Sequence, residues 1–226
     1  MSDYEPVLST LRRVRGISPF FALDVGRPTA ADGAGWRSGA ELVDGRALPD
    51  ALSAIGERYR TGEARVAASL FFLGYSARLL CPTVAAHAVG GVVPDIRPGN
   101  VWWRFGADGM RVRIGEPVAG VSISESLEPV VAAIRDVVPV ARGLLWGNAA
   151  SSIAGALRTV GHSGTASTEE CVVLGERLLD APGLRGSGDF VPFPGEVAFR
   201  RRSCCLYYRL DGGGTCGDCP LPPRQT

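Results

Sequence analysis

A chain of 226 residues, 46% hydrophobic and 21% charged, can bury roughly 70% of the surface its unfolded form would expose, so its fold does not depend on a metal or disulfide staple. The composition is that of an ordinary globular domain, with a small appendage at most. The formal charge is +1, from 24 basic and 23 acidic residues, which excludes a broad field that would hold nucleic acid or an anionic membrane.

Apolar residues Val7, Leu8, Leu11 and Val14 repeat at helical spacing and predict an amphipathic helix over Pro6 to Ile17. Pro28 to Gly39 reads as a loop, and Pro49 opens a second helix through Tyr59. Thr61 followed by Glu63 is a helix-start signal for a buried helix from Ala64 to Leu80, which Pro82 is expected to end or kink. Val101, Trp103 and Phe105 alternate with Trp102 and Arg104, and Val112 and Ile114 with Arg111 and Arg113, around an Asp108-Gly109 turn of type I′. That pattern predicts a hairpin at 101–114 with one apolar and one polar face. Helical periods return at Leu127 to Val138, Ala141 to Val160, and Thr168 to Leu179 with Thr168 as N-cap. Leu206, Tyr208 and Leu210 alternate with Tyr207 and Arg209, as a further strand of the same sheet would. The expected class is α+β: a helix-dominated domain with a small antiparallel β-sheet and a C-terminal Cys-rich motif. Residues 1–195 form the helix-rich domain, and 196–226 a cysteine-bearing segment packed on it.

Met1 to Thr10 contains Asp3 and Glu5 and has neither the basic start nor the apolar stretch of a signal peptide. Arg78, Pro82 and His87 interrupt the apolar region from Val66 to Val93, which argues against a spanning helix. The expected location is the cytosol, with peripheral association at the inner face of the membrane left open. In a reducing compartment clustered cysteines point to metal or redox chemistry rather than to disulfides. Cys204, Cys205, Cys216 and Cys219 are spaced C-C-x10-C-x2-C among Gly212, Gly213, Gly214 and Gly217. Four thiolates suit an iron–sulfur cluster or structural zinc, and thiol redox chemistry or unligated cysteines stay open as well. Cys81 and Cys171 lie in apolar helical stretches and read as packing residues.

The run from Arg201 to Leu210 (RRSCCLYYRL), followed by Gly212 to Leu221 (GGGTCGDCPL), resembles the C-terminal motif of FhuF-type ferric-siderophore reductases. Leu145 to Ser151 (LWGNAAS) resembles that family's other recurrent segment. The resemblance implies that Cys204, Cys205, Cys216 and Cys219 hold a 2Fe-2S cluster. It also implies a one-electron oxidoreductase that reduces ferric iron in a siderophore, hydroxamate-type by expectation, and releases ferrous iron. The first 120 residues resemble the family only in length and general character.

Gly212 to Gly217 satisfies G-x-G-x-x-G in form, but Pro220, Pro222 and Pro223 follow where a dinucleotide site needs a helix. With no nucleotide motif in view, electrons are expected from a separate donor protein or reductant. Trp102, Arg104, Arg111 and Arg113 on the polar hairpin face, together with Arg201 in the basic run Arg200 to Arg202, are the candidate chelate-binding residues. That expectation requires the hairpin to pack beside the cysteines. An exposed sheet face is the plainer reading. A ferredoxin-like electron carrier and a protein stapled by structural zinc are the alternative functions.

Overall fold

Two helices without a polar face must find apolar cover on all sides, and here they find much of it in each other. α4 (Ala64–Gly90) and α6 (Arg142–His162) form the central pair in a computed structural model that describes residues 4–221. α1 (Tyr4–Arg15) and α3 (Leu48–Tyr59) cover α4, α5 (Ile123–Val137) touches both central helices, and α7 (Thr168–Leu179) lies on α6. A single turn, α2 (Ala40–Val43), packs on α5. The core runs between these layers, from Val7, Leu11 and Val14 through Phe71, Phe72 and Leu79 to Trp146, Ile153 and Leu157.

α4 does not break at Pro82. The proline is buried inside the helix, which continues to Gly90 and stops where Gly91 turns left-handed at φ 66. Enclosure by α1, α3 and α6 outweighs the roughly 3 kcal/mol that a helix-interior proline costs. The start of α4 also differs from expectation. Glu63 is the N-cap, and Thr61 instead accepts a hydrogen bond from the Glu63 N–H at 3.2 Å. α4 is long and apolar enough to cross a membrane by length and composition, but 72% of its most apolar window is buried inside the fold. At α7 the cap is Ser167 rather than Thr168, in a reciprocal capping box with Glu170.

Strands β1 (Asp24–Val25), β2 (Arg37–Ser38), β3 (Val101–Gly106) and β4 (Gly109–Ile114) form one sheet in the order β1-β4-β3-β2. β1 runs parallel to β4, so the sheet is mixed, and the stretch 28–39 contributes β2 instead of being loop throughout. The β3–β4 hairpin forms as expected, but Gly106 pairs with Gly109, so its central residues are Ala107 and Asp108. Neither has positive φ, which rules out type I′. β5 (Gly188–Val191) and β6 (Ala198–Arg201) make a separate two-stranded sheet. This pair straddles the boundary expected at 195/196. Residues 222–226 of the expected C-terminal segment lie outside the described residues.

Candidate metal centre

β6 delivers the chain to Cys204 and Cys205, held by β5 along its edge and by α6 against its face. Leu206 then adopts the left-handed conformation at φ 66, uncommon for a branched side chain. The reversal it makes aims backbone donors at sulfur. The Leu206 N–H donates to Cys204 Sγ at 3.4 Å, and the Tyr207 N–H donates to Cys205. Residues Tyr207–Arg209 form a 3-10 turn, not the strand their alternation suggested. Gly212 at φ 70 turns the chain back. Gly213 passes so close to the Tyr207 carbonyl that a Cβ would collide with it and crowd the Leu210 carbonyl as well. The returning segment brings Cys216 and Cys219 to the first two cysteines, and the Cys219 N–H closes the C-x2-C turn on the Cys216 carbonyl at 3.0 Å.

The thiols meet two by two. The Cys216 thiol donates to Cys205, and the Cys204 side chain meets that of Cys219. Pairwise approach is the arrangement for a two-iron centre in which each iron takes two thiolates. The hydrogen bond from Cys216 holds the Cys205 thiol below the ordinary thiol range against the opposing effect of burial, with the Tyr207 N–H and Arg201 lowering it further. The same hydrogen bond pushes Cys216 up, and burial raises Cys204. Cys205 is buried, Cys204 and Cys219 are half-buried, and Cys216 is exposed, so the group of sulfurs opens to solvent on one side. Cys81 and Cys171 stay apart from it. Burial pushes the Cys81 thiol up to about 11 and raises Cys171 as well, as expected of cysteines used for packing.

Beneath the thiols lies a buried polar chain. Arg201, only 1% exposed, donates from Nη2 to Asn148 Oδ1 at 2.7 Å, with a longer approach to the Leu144 carbonyl. Asn148 Nδ2 donates to the Ser69 carbonyl at 2.9 Å and to Ser69 Oγ at 3.1 Å, and Ser69 Oγ donates to the Cys205 carbonyl at 2.6 Å. A second clamp holds the far arm. Arg158 donates to Asp218 Oδ1 at 3.0 Å and to the Val197 carbonyl at 3.0 Å, while the Asp218 carbonyl accepts from the Arg201 N–H. Ser203 Oγ donates to the Gly143 carbonyl at 2.9 Å. Asn148 belongs to the LWGNAAS segment singled out in the sequence. Ser69, Arg158 and Asp218 were not singled out: Asp218 could have been found from its place inside C-x2-C, whereas nothing local marks Ser69.

The candidate chelate-binding residues do not share a surface. Trp102 faces Arg113 across the hairpin, and Arg104 faces Arg111, so the register does gather those four on one face. The chain's own segment 29–36 covers part of that face. Trp36 lies under Arg104 at 4.7 Å and Arg113 at 5.3 Å from its ring centre, and Asp32 pairs with Arg113 at 2.8 Å. Arg111 pairs with Asp108 at 3.0 Å, and Arg27 stacks on Trp102. Arg201 is in the other sheet, under the cysteines. The sheet of the hairpin is completed by β1 and β2, and the expected third strand at 206–210 is absent because those residues turn to serve the sulfurs.

A donor set of four thiols in two pairs, backbone N–H groups directed at sulfur, and a buried guanidinium beneath fits an anionic iron–sulfur centre. Comparison with curated proteins gives no match. Residues 201–221 match the family model described as FhuF 2Fe-2S C-terminal domain. This chain therefore carries an FhuF-type 2Fe-2S domain as its C-terminal segment, and its cofactor is a 2Fe-2S cluster.

Proposed function

We propose that Cys204, Cys205, Cys216 and Cys219 ligate the cluster and that the protein is a ferric-siderophore reductase, supplying one electron to the iron of a hydroxamate-type chelate inside the cell. The observation that carries this reading is the paired set of thiols, opening to solvent at Cys216, within the segment that matches the FhuF domain. The bound cluster supplies single-electron transfer. The chain supplies the rest: the Leu206 and Tyr207 N–H groups fix the sulfurs, Arg158 and Arg201 fix the two arms, and the exposed Cys216 side leaves room for a chelate or a donor protein to come close. Ferric iron binds hydroxamate oxygens far more tightly than ferrous iron does, so one electron is enough to free the metal with its chelator intact. The electron comes from a separate donor protein or reductant.

Anaerobically purified protein should show 2Fe-2S absorption, and Ser at any of Cys204, Cys205, Cys216 or Cys219 should abolish or alter it, while Ser at Cys81 or Cys171 should not. After chemical reduction, stopped-flow mixing with a ferric trihydroxamate such as ferrioxamine B should reoxidise the cluster and yield ferrous iron, trapped by a ferrous-specific chelator. Reoxidation by carrier proteins alone would make the chain a ferredoxin-like carrier. A colourless protein holding zinc would overturn both redox readings. Turnover with NADPH and no second protein would overturn the separate donor.

A further inference from the structure

Arg201 is a buried cation without a counter-ion among the described residues. It is 1% exposed and takes part in no ion pair among the described residues, and its Nε has no hydrogen-bond partner. The nearby carboxylate of Asp218 is already taken by Arg158 at 3.0 Å. The two neighbouring arginines differ sharply: Arg202 is exposed and pairs with Asp189 at 2.8 Å, and Arg200 is exposed on the outer side of β6. An unpaired buried charge is among the costliest features a fold can hold, and a guanidinium cannot escape it by losing its proton. Something with negative charge must face it. Arg201 lies within electrostatic reach of Cys204, Cys205 and Cys216. A 2Fe-2S centre on four thiolates is a dianion when oxidised and a trianion when reduced, so the attraction grows with each electron taken up.

We propose that Arg201, aimed by Asn148 and through it by Ser69, is the fixed internal counter-charge of the cluster and sets its midpoint potential by favouring the reduced form. This rests on the ligand reading above. Asn148 acts on the potential only through Arg201: its amide oxygen holds the guanidinium, and its amide nitrogen ties it to the Ser69 that also holds the Cys205 carbonyl. It is a positioning residue. Its neutrality matters as well, because a carboxylate at the same place would take up the charge that the cluster now uses.

The test is spectroelectrochemical titration of the cluster in the whole chain, read by visible absorption and by the EPR signal of the reduced form. Arg201→Gln should lower the ratio of reduced to oxidised cluster at fixed ambient potential about tenfold, which is about 59 mV for one electron. Arg201→Lys, which keeps the charge, should recover most of that. Asn148→Asp, nearly isosteric, should produce a fall of the same sign by neutralising Arg201 in place, which guards against a failure of Arg201→Gln to fold. Arg202→Gln, whose charge is exposed and already paired, should change the ratio less than threefold. An intact cluster whose midpoint is unmoved in Arg201→Gln or in Asn148→Asp overturns the counter-charge while leaving the ligand reading standing. A wild-type chain that holds no cluster overturns both. An equal shift in Arg201→Gln and Arg201→Lys shows that shape, not charge, is what Arg201 supplies, and overturns the proposal as well.

Discussion

At Gly147 a single methyl group decides whether the cysteine segment can seat. A Cβ there would collide with Ser203 Oγ and come within 3.0 Å of Arg201 Nη2. Gly147→Ala should therefore destabilise the protein by about 1–3 kcal/mol and lower its iron content per chain, measured by thermal unfolding and metal analysis. Gly155 lies on the same helix with open space around it, so Gly155→Ala should be neutral or stabilising by up to about 1 kcal/mol. Arg158→Ala removes the clamp on Asp218 and the Val197 carbonyl. It should speed loss of cluster absorption to a ferrous chelator severalfold, with the visible spectrum unchanged at the start. That Cys204, Cys205, Cys216 and Cys219 would gather was legible in the chain because C-C-x10-C-x2-C is a local pattern. The support under it was not: Ser69 is 136 residues from the carbonyl it serves, and only the fold brings them together.

Segment 29–36 behaves as a strap over the hairpin. Asp32 accepts from the backbone N–H and the hydroxyl of Thr29, both at 2.8 Å, and from Arg113, and these hold its carboxyl down at about 2 from an ordinary 3.8. A lowered folded value means that the strap's contribution is complete above about pH 4 and is lost as pH falls through about 2. Tryptophan emission should shift to the red over that window in the native chain and not in Trp36→Phe. In Asp32→Asn the shifted emission should already be present at neutral pH. The strap also shows where periodicity stops informing. The helices α3, α5, α6 and α7 were readable within a few residues, since burial on one stripe or all round leaves a period in the sequence, whereas α4 runs ten residues past the Leu80 at which it was expected to stop. Residues 206–210 alternate like a strand yet form a 3-10 turn, because alternation records which side chains face outward and not what the backbone N–H groups must do. Pro82 misleads for the opposite reason: a local rule about helix breaking yields to enclosure on several sides.

Across the whole molecule, the cluster segment is not a detachable module. β6 pairs with β5 across the boundary expected at 195/196, Arg201 lies under α6, and Arg209 reaches Glu63 beside α4 at 2.9 Å. A fragment beginning at Arg185 supplied with iron and sulfide should fail to develop 2Fe-2S absorption under conditions where the full chain does so. The class of fold was legible because its helices dominate the pattern. The pairing of β5 with β6 across 195/196 was not legible, because strands this short leave too little period in the chain. The chain of contacts from Cys205 through Ser69 and Asn148 to Arg201 passes between α4 and α6, the two helices around which everything else is arranged. Opening fluctuations in the middle of the core are thereby linked to what happens at the surface-facing sulfurs. Amide hydrogen exchange along the turns of α4 and α6 that carry Ser69 and Asn148 should accordingly slow when the protein acquires its iron and quicken when it loses it, so that the breathing of the deepest helices reports the occupancy of a site at the molecule's edge.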